Sequence, residues 1–419
     1  MTVRIEKLPS GLRIVTDSFD SPLAVLQVSV EVGTRWEPPH LNGLAHFLEH
    51  MAFKGTLRRT ASDISEAIEN RGGWINAGTG KDITNYYTGV LAEDAPVALD
   101  VLADIVCNST LPEEEFERER GVILQEIADL EDEPMSWLAD RMMEITFIGG
   151  LGMPGLGSPE TLRRIEVSDL ANLVAAHYEP GTIIVSAAGG VDHDAITRAA
   201  EQLFDLGHRE VSKRHESRKS EFFGGNSFRQ ARKTDQVQII VAFPSFSLGD
   251  PDLYADCVLQ KIIGGCSTSR LWRALREDRG LCYDVYSSAQ AWREAGIVGV
   301  KLSTGADSAA EAISALVTEL QKVRDAGLTD EELARGKKLM RAEIVMENES
   351  AASRVGAVAH HLAIHDRAYD LNEELDRFAA VDHRAIGRCI ERMWSTPAAV
   401  AIRGPKRIVE TDIQEMLRA

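Results

Sequence analysis

Two histidines and a glutamate, His46, Glu49 and His50, lie close together in the apolar segment 43–53. On a helix, at about 100° per residue, the three side chains fall within a sector of roughly 100°, and apolar residues cover the rest of the surface. Such a helix is expected to be buried, where three ionisable groups would be costly to desolvate without partners. Two neutral imidazoles one turn apart can bind one zinc ion, which removes that cost. The pattern therefore favours a metal site over an ordinary pair of core histidines.

The position of Glu49 predicts what the metal site does. Glu49 comes one residue before the second histidine, close to the metal but not needed as a ligand, in the inverted zincin order H-x-x-E-H. Zinc lowers the pKa of its bound water to about 7, so a carboxylate is basic enough to take the proton. The segment therefore predicts hydrolysis, with Glu49 as the general base.

A third ligand is expected, because catalytic zinc sites commonly have three protein ligands. A predicted helix from about residue 113 to residue 130 carries an apolar stripe, and Glu119 and Glu126 lie at its edge. The two glutamates are within roughly 20° of each other around the helix axis. A carboxylate at the edge of the core can reach a buried metal. Taken alone, an ion pair on the helix flank would be the preferred interpretation.

An internal repeat indicates how the elements that carry these residues are organised. Residues 111–127 resemble residues 328–344 at an offset of 217 residues without a gap. The apolar strand patterns at 25–32 and 236–243 have a similar offset. A duplicated α+β domain is the simplest interpretation, and chance similarity of two amphipathic helices is the alternative.

Composition along the chain predicts where the two halves meet. Residues 208–234 are polar and locally basic with little apolar periodicity, which favours an inter-domain linker over a long surface loop within one domain. We therefore predict a metal-binding domain over residues 1–207 and a homologous domain over residues 235–419.

The combination of His46, Glu49 and His50 with the downstream pair Glu119 and Glu126 resembles the M16 family of metallopeptidases. Within the family it is most similar to the mitochondrial processing peptidase β-subunit and to bacterial M16B peptidases. The resemblance implies one zinc ion per chain, bound by both histidines and Glu126, with Glu49 as general base and Glu119 orienting a ligand. It also implies two homologous α+β domains, each a mostly antiparallel sheet packed with helices.

The second half lacks the zinc-binding pattern. At the 217-residue offset, Ile263, Cys266 and Ser267 stand where the first half has its H-x-x-E-H residues, and Glu343 stands opposite Glu126 without histidine partners. One metal site per chain is therefore expected, and the second half must have another role.

Arg276 and Tyr283 resemble the arginine and tyrosine of the C-terminal segment in M16 enzymes. The resemblance implies that they hold the substrate backbone and the oxyanion, for which a guanidinium and a phenol are suitable donors. From the residues alone, a surface charge and a strand-face aromatic would be preferred. In the family this pair tends to come from the partner chain. We therefore expect a homodimer with two complete sites, and a heterodimer with an inactive relative is the alternative.

The segment after residue 71 resembles the substrate-binding edge strand of the family. Asn76, Ala77 and Thr79 match its N-A-x-T pattern, which implies that a peptide adds to this edge as a further strand. Relatives often carry an aromatic residue where this chain has Gly78. Glycine weakens a strand and opens space, so selectivity at this position departs from the family pattern.

Charge and composition exclude several classes of function. Lys and Arg number 46 against 65 Asp and Glu, a net charge of −19, which argues against a nucleic-acid surface. The sequence contains no run of 18 apolar residues, so no membrane span is predicted. The N-terminus shows no leader pattern. The cysteines are few and scattered, which favours reduced thiols in a cytosol. They are Cys107, Cys257, Cys266, Cys282 and Cys389. The absence of a leader pattern favours a bacterial cytosol, and a mature organellar protein without its presequence is the alternative.

The sequence therefore predicts a zinc endopeptidase that hydrolyses peptides or short unfolded segments inside an enclosed chamber. The alternative is a non-catalytic structural or assembly subunit of the same family, against which the intact ligands argue. A zinc site that only stabilises the fold would prefer four protein ligands, and the additional Glu49 fits it poorly.

Overall fold

The chain divides into two compact units in the computed structural model, which describes residues 2–204 and 220–418. Each unit takes in one segment from the other half of the chain. The first unit comprises the described residues of Met1–Ala128, Met153–Arg218 and Val345–Asp370. The second comprises those of Asp129–Gly152, Lys219–Ile344 and Leu371–Ala419. Each unit contains one sheet packed with helices, which confirms the α+β fold with two sheet-containing domains.

Runs of strands and runs of helices follow one another along the described chain. The strands are β1 (Thr2–Lys7), β2 (Arg13–Ser18), β3 (Leu23–Val30), β4 (Trp74–Thr79), β5 (Thr84–Leu91), β6 (Ile183–Gly189), β7 (Ser227–Ala231), β8 (Gln236–Ser245), β9 (Cys282–Ala291), β10 (Gly296–Gly305) and β11 (Ala399–Gly404). The α-helices are α1 (Leu44–Ala52), α2 (Ala61–Glu69), α3 (Ala95–Cys107), α4 (Glu113–Glu131), α5 (Pro134–Thr146), α6 (Pro159–Leu162), α7 (Val167–His177), α8 (His193–Leu203), α9 (Leu253–Ile263), α10 (Ala309–Ala326), α11 (Asp330–Glu347), α12 (Ala351–His365), α13 (Leu371–Ala379), α14 (His383–Met393), α15 (Lys406–Val409) and α16 (Ile413–Arg418). None of the helices in the described residues is long and apolar enough to cross a membrane.

The first sheet has the order β1-β2-β6-β3-β5-β4, with β2 and β6 parallel and the other neighbours antiparallel. Alternate residues of β3 face opposite sides: Ala24, Leu26 and Val28 pack with α3, whereas Val25 packs with α12. Helices thus cover both faces, which explains why β3 and β6 are nearly continuous apolar runs. β4 lies at the edge and pairs with β5 alone among the described strands.

A buried ion pair holds α12 on the first sheet. Arg354 donates from Nε and Nη2 to the two carboxylate oxygens of Asp17, at 2.6 Å each. The guanidinium carbon lies 4.0 Å from the centre of the Phe19 ring. A two-point Arg–carboxylate contact fixes orientation as well as distance, so this pair sets how α12 lies on the sheet.

The second sheet has the order β7-β11-β8-β10-β9 and repeats the arrangement β2-β6-β3-β5-β4 of the first, including a parallel pair at one end. Its two faces are covered by α9 and α10 on one side and by α5 on the other. The strand order supports the duplication that the repeat predicted.

Part of the predicted linker, residues 208–219, lies outside the described residues. Its later part includes β7, which pairs in parallel with β11 inside the second sheet. The polar composition of residues 227–231 hides this strand because β7 is an edge strand with alternating exposed and half-buried residues. The domain ranges 1–207 and 235–419, drawn from the duplicated segments, stay a prediction.

Candidate metal centre

Helix α1 carries the H-x-x-E-H residues, and its N-cap residue is Gly43, whose φ of +98° lies in the left-handed region. A Cβ atom at this position would lie 2.8 Å from the Leu156 carbonyl oxygen, so the start of the helix requires glycine. Six apolar residues of α1 are buried, as its periodicity predicted. The polar face with His46 and His50 is only half-buried. The helix is held in place mainly by its buried apolar residues.

The N-terminus of α1 is held by Glu37, a residue that the sequence analysis did not single out. Its fully buried carboxylate accepts hydrogen bonds from the backbone N–H groups of Ala45 at 2.6 Å and Gly43 at 2.7 Å, and from the side-chain amide of Asn42 at 2.8 Å. Burial raises the pKa of Glu37 to about 7, although these hydrogen bonds oppose the rise. A carboxylate here satisfies unpaired helix N–H groups and favourably meets the positive end of the helix dipole.

Glu37→Ala is expected to lower the free energy of unfolding by at least about 2 kcal/mol, because buried N–H donors at the start of α1 lose their acceptor. Urea unfolding followed by circular dichroism measures the change. Glu66→Ala is the control: Glu66 is exposed on α2, and such a surface change stays within about 0.5 kcal/mol. Equal stability of the two variants would show that Glu37 does not support α1.

The three predicted ligands converge on one point. His46 Nε2 lies 3.7 Å and His50 Nε2 lies 3.6 Å from Glu126 Oε2, distances too long for hydrogen bonds. Among the described residues this is the one group of three or more potential ligands whose donor atoms all lie within 4.8 Å of one another. Ligand atoms of a tetrahedral zinc site are about 3.3 Å apart. The donor set and its spacing therefore fit a zinc ion.

His46 is in the protonation state that a metal ligand needs. Burial, together with the nearby His50 ring, lowers the pKa of His46 to about 4, so its imidazole is neutral near pH 7. The two ring centres are 4.7 Å apart, and His46 Nδ1 is buried with no hydrogen-bond partner among the described residues. A neutral imidazole offers a lone pair to a metal, which a protonated one cannot do.

Glu119 lies behind His50, as the resemblance implies for a residue that orients a ligand. Its Oε2 atom is 3.0 Å from His50 Nδ1, and its side chain is buried. When Nδ1–H donates to this carboxylate, the Nε2 atom of His50 keeps its lone pair and faces Glu126. The contact therefore fixes both the tautomer and the direction of the ring.

Glu49 stands beside the three ligands without belonging to the set. Its carboxylate accepts a hydrogen bond from the hydroxyl of Thr79, the last residue of β4. Burial raises the pKa of Glu49, and the bond from Thr79 opposes the rise. A carboxylate whose pKa is raised is a stronger base, which suits it to taking up a proton.

The edge strand β4 thus reaches the site through Thr79. Asn76 is exposed and Ala77 is half-buried, and the Ala77 N–H donates to Asn76 Oδ1 at 2.8 Å. A Cβ atom built on Gly78 would meet no heavy atom within 4 Å, so the space that glycine was expected to open is present. The role of Asn76 and Ala77 in substrate binding stays a prediction.

Arg276 and Tyr283 lie together in the second unit. The Arg276 guanidinium carbon is 5.3 Å from the centre of the Tyr283 ring and 4.1 Å from that of Trp272. Tyr283 is 82% exposed on β9, the edge strand of the second sheet, and Arg276 belongs to a π-helical turn, Trp272–Glu277. Such turns occur frequently at functional sites. Sequence reasoning missed Trp272, which no motif marks, although it fixes the arginine.

In the second unit a lysine lies beside the residue that corresponds to Glu126. Helix α9 follows β8 as α1 follows β3, and α11 follows α10 as α4 follows α3. Between α9 and α11, Lys261 Nζ lies 2.6 Å from Glu343 Oε2. Glu343 is the residue opposite Glu126 in the repeat. An ammonium group of the chain itself therefore neutralises this carboxylate, and a metal is not needed for that purpose.

Comparison with known proteins bears directly on this arrangement. Residues 13–157 match the family model described as insulinase, peptidase family M16, and residues 164–340 match the model of the M16 inactive domain. The chain is also 34% identical over 399 residues to an uncharacterized zinc protease of Streptomyces coelicolor, covering 92% of this chain and 87% of the relative. The chain belongs to peptidase family M16.

Further relatives of this M16 chain are also bacterial. An uncharacterized zinc protease of Bacillus subtilis is 30% identical over 398 residues, 94% of this chain and 97% of the relative. Two solved structures share the fold with a TM-score of 0.88 each: an M16 inactive domain from Pseudomonas fluorescens, at 18% identity, and a protease from Helicobacter pylori, at 20%. The matches cover 97% and 96% of this chain and 98% and 99% of the solved chains.

Proposed function

We propose that this M16 chain is a zinc-dependent endopeptidase that hydrolyses peptides or short unfolded segments in an enclosed chamber. One observation carries the proposal: the ligand atoms of His46, His50 and Glu126 lie within 4.8 Å of one another, beside a fourth ionisable group, Glu49, outside the set. A site that only held a metal would have no use for that carboxylate. The names of the relatives, zinc proteases, support the same chemistry.

A zinc ion held by the three ligands would supply a Lewis acid that polarises the scissile carbonyl and makes water more acidic. Glu49, held by the Thr79 hydroxyl, accepts the proton of the attacking water and later passes it to the leaving amine. Burial raises the pKa of Glu49, which helps it to keep the proton between the two transfers. Glu119 keeps the His50 ring in place meanwhile.

Substrate binding is proposed to follow the edge-strand mode. A peptide would add to β4 along Asn76 and Ala77, because the side of β4 that faces away from β5 has no strand partner among the described residues. Arg276 and Tyr283 would come from a partner chain and donate to the substrate backbone and the oxyanion. We therefore propose a homodimer, or a heterodimer with an inactive relative, in a bacterial cytosol.

The test is to measure zinc content and hydrolysis on the same preparation. We expect about one zinc per chain, and cleavage of a mixed peptide library, read by mass spectrometry, that stops on chelation and returns with added zinc. One bound zinc per chain without any cleavage would favour the alternative, a structural or assembly subunit.

A further inference from the structure

Lys54, two residues beyond the end of α1, is in contact with the metal centre through an intermediate residue. Its Nζ atom lies 2.6 Å from Glu119 Oε1, while the other oxygen of Glu119 lies 3.0 Å from His50 Nδ1. The Lys54 side chain is 27% exposed and that of Glu119 is 8% exposed. Lys54, Glu119 and His50 therefore form one line of contacts that ends at a ligand.

The carboxylate in the middle of this line needs both neighbours. Burying a carboxylate without a partner is costly, and an ammonium at hydrogen-bonding distance offsets much of that cost. With one oxygen held by Lys54, the Glu119 carboxylate has its second oxygen directed at His50 Nδ1. Hydrogen bonds of this kind to the far side of a ligating imidazole fix the ring and raise its basicity.

We propose that Lys54 is a positioning residue of the metal centre. Its ammonium group holds the Glu119 carboxylate, and Glu119 in turn holds the His50 ring with Nε2 facing Glu126. Lys54 thereby strengthens zinc binding without touching the metal. The inference rests on the proposed zinc-dependent function and adds a residue to its site.

A structural role alone is the competing explanation, because the same pair also ties the end of α1 to α4. The second unit provides a matched pair in which only that role is available. Lys261 and Glu343 are likewise 2.6 Å apart and connect the equivalent helices α9 and α11, but the equivalent of the metal centre lacks histidines. Removing either lysine should affect the fold to a similar degree, and only Lys54 should affect zinc.

The experiment compares Lys54→Met with Lys261→Met in the full chain, since methionine keeps the apolar part of the side chain. Zinc dissociation constants are measured by competition with a chelator, and melting temperatures are recorded in parallel. Lys54→Met is expected to weaken zinc binding at least about tenfold, as loss of outer-shell partners does. Lys261→Met should stay within about twofold of the parent. Lys54→Arg, which keeps a cation, should restore most of the affinity.

A second comparison shows whether Lys54 acts through Glu119. In a Glu119→Gln background, Lys54→Met should cause no further loss of zinc affinity, because the carboxylate it holds is gone. The proposed role of Lys54 is wrong if Lys54→Met binds zinc as tightly as Lys261→Met does. It is also wrong if Lys54→Met lowers zinc affinity in the Glu119→Gln background as much as it does in the parent. Lys54→Gln replaces Lys54→Met if the latter does not fold, with the same thresholds. A parent chain that binds no zinc would instead contradict the proposed function itself.

Discussion

Glu49→Gln is expected to reduce peptide hydrolysis by about a hundredfold to ten-thousandfold while zinc remains bound, which is the range that a general base contributes. Glutamine keeps the size of the side chain and still has an oxygen to accept the bond from Thr79. It has no basic oxygen to take a proton from water. The ligand set does not include Glu49, so zinc content should match that of the parent.

The comparison needs both activity and metal content. We measure the turnover number on a fluorescence-quenched peptide and the zinc content per chain, for Glu49→Gln and for Glu66→Gln. Glu66 is an exposed carboxylate on α2. The control should retain both values. Turnover by Glu49→Gln near that of the control would exclude Glu49 as the base, even if zinc is bound.

Glu126→Ala is expected to weaken zinc binding by more than about a hundredfold, beyond the effect of losing an outer-shell residue, and to abolish hydrolysis with it. Its carboxylate is the group that both histidine Nε2 atoms face. The Glu126 side chain is 39% exposed, so truncation should leave the fold intact.

Glu343→Ala is the matched control for this prediction. Glu343 occupies the equivalent position in the repeat and is 41% exposed, but its partner is Lys261. Chelator competition should give zinc affinity unchanged within about twofold, since no metal ligand is lost. Equal affinities for the two variants would remove Glu126 from the ligand set.

The candidate residues on α1 could be predicted because their positions depend on local geometry. His46, Glu49 and His50 share a helical face by spacing alone, and the structure keeps them there. Glu126 required the resemblance, since spacing on one helix does not say which other helix packs against it. The structure brings its carboxylate to both histidines.

Residues that act through chain folding could not be predicted in this way. Glu37 lies in a loop before α1, and its role depends on how that loop turns back to meet the helix N-terminus. Thr79 meets Glu49 only because β4 runs beside α1, a contact between segments 30 residues apart. No periodicity in the sequence encodes either contact.

The assignment of α5 and α12 to the two units is a similar case. An amphipathic helix shows by its pattern that one face is buried, but not which sheet it covers. Arg354 and Asp17 decide the question for α12, and 337 residues separate them in the chain. The likeness of the two strand orders, by contrast, follows from the duplication, because both sheets repeat one arrangement.

The open space at Gly78 determines how readily this chain can diversify. Since a Cβ atom there meets nothing within 4 Å, an alanine side chain fits without a compensating mutation elsewhere. A single codon change can therefore alter the lining of the proposed peptide groove while the helices that carry the candidate ligands stay as they are. Under the proposed function, substrate preference is in this sense separable from catalytic chemistry, and evolution can change the first without changing the second.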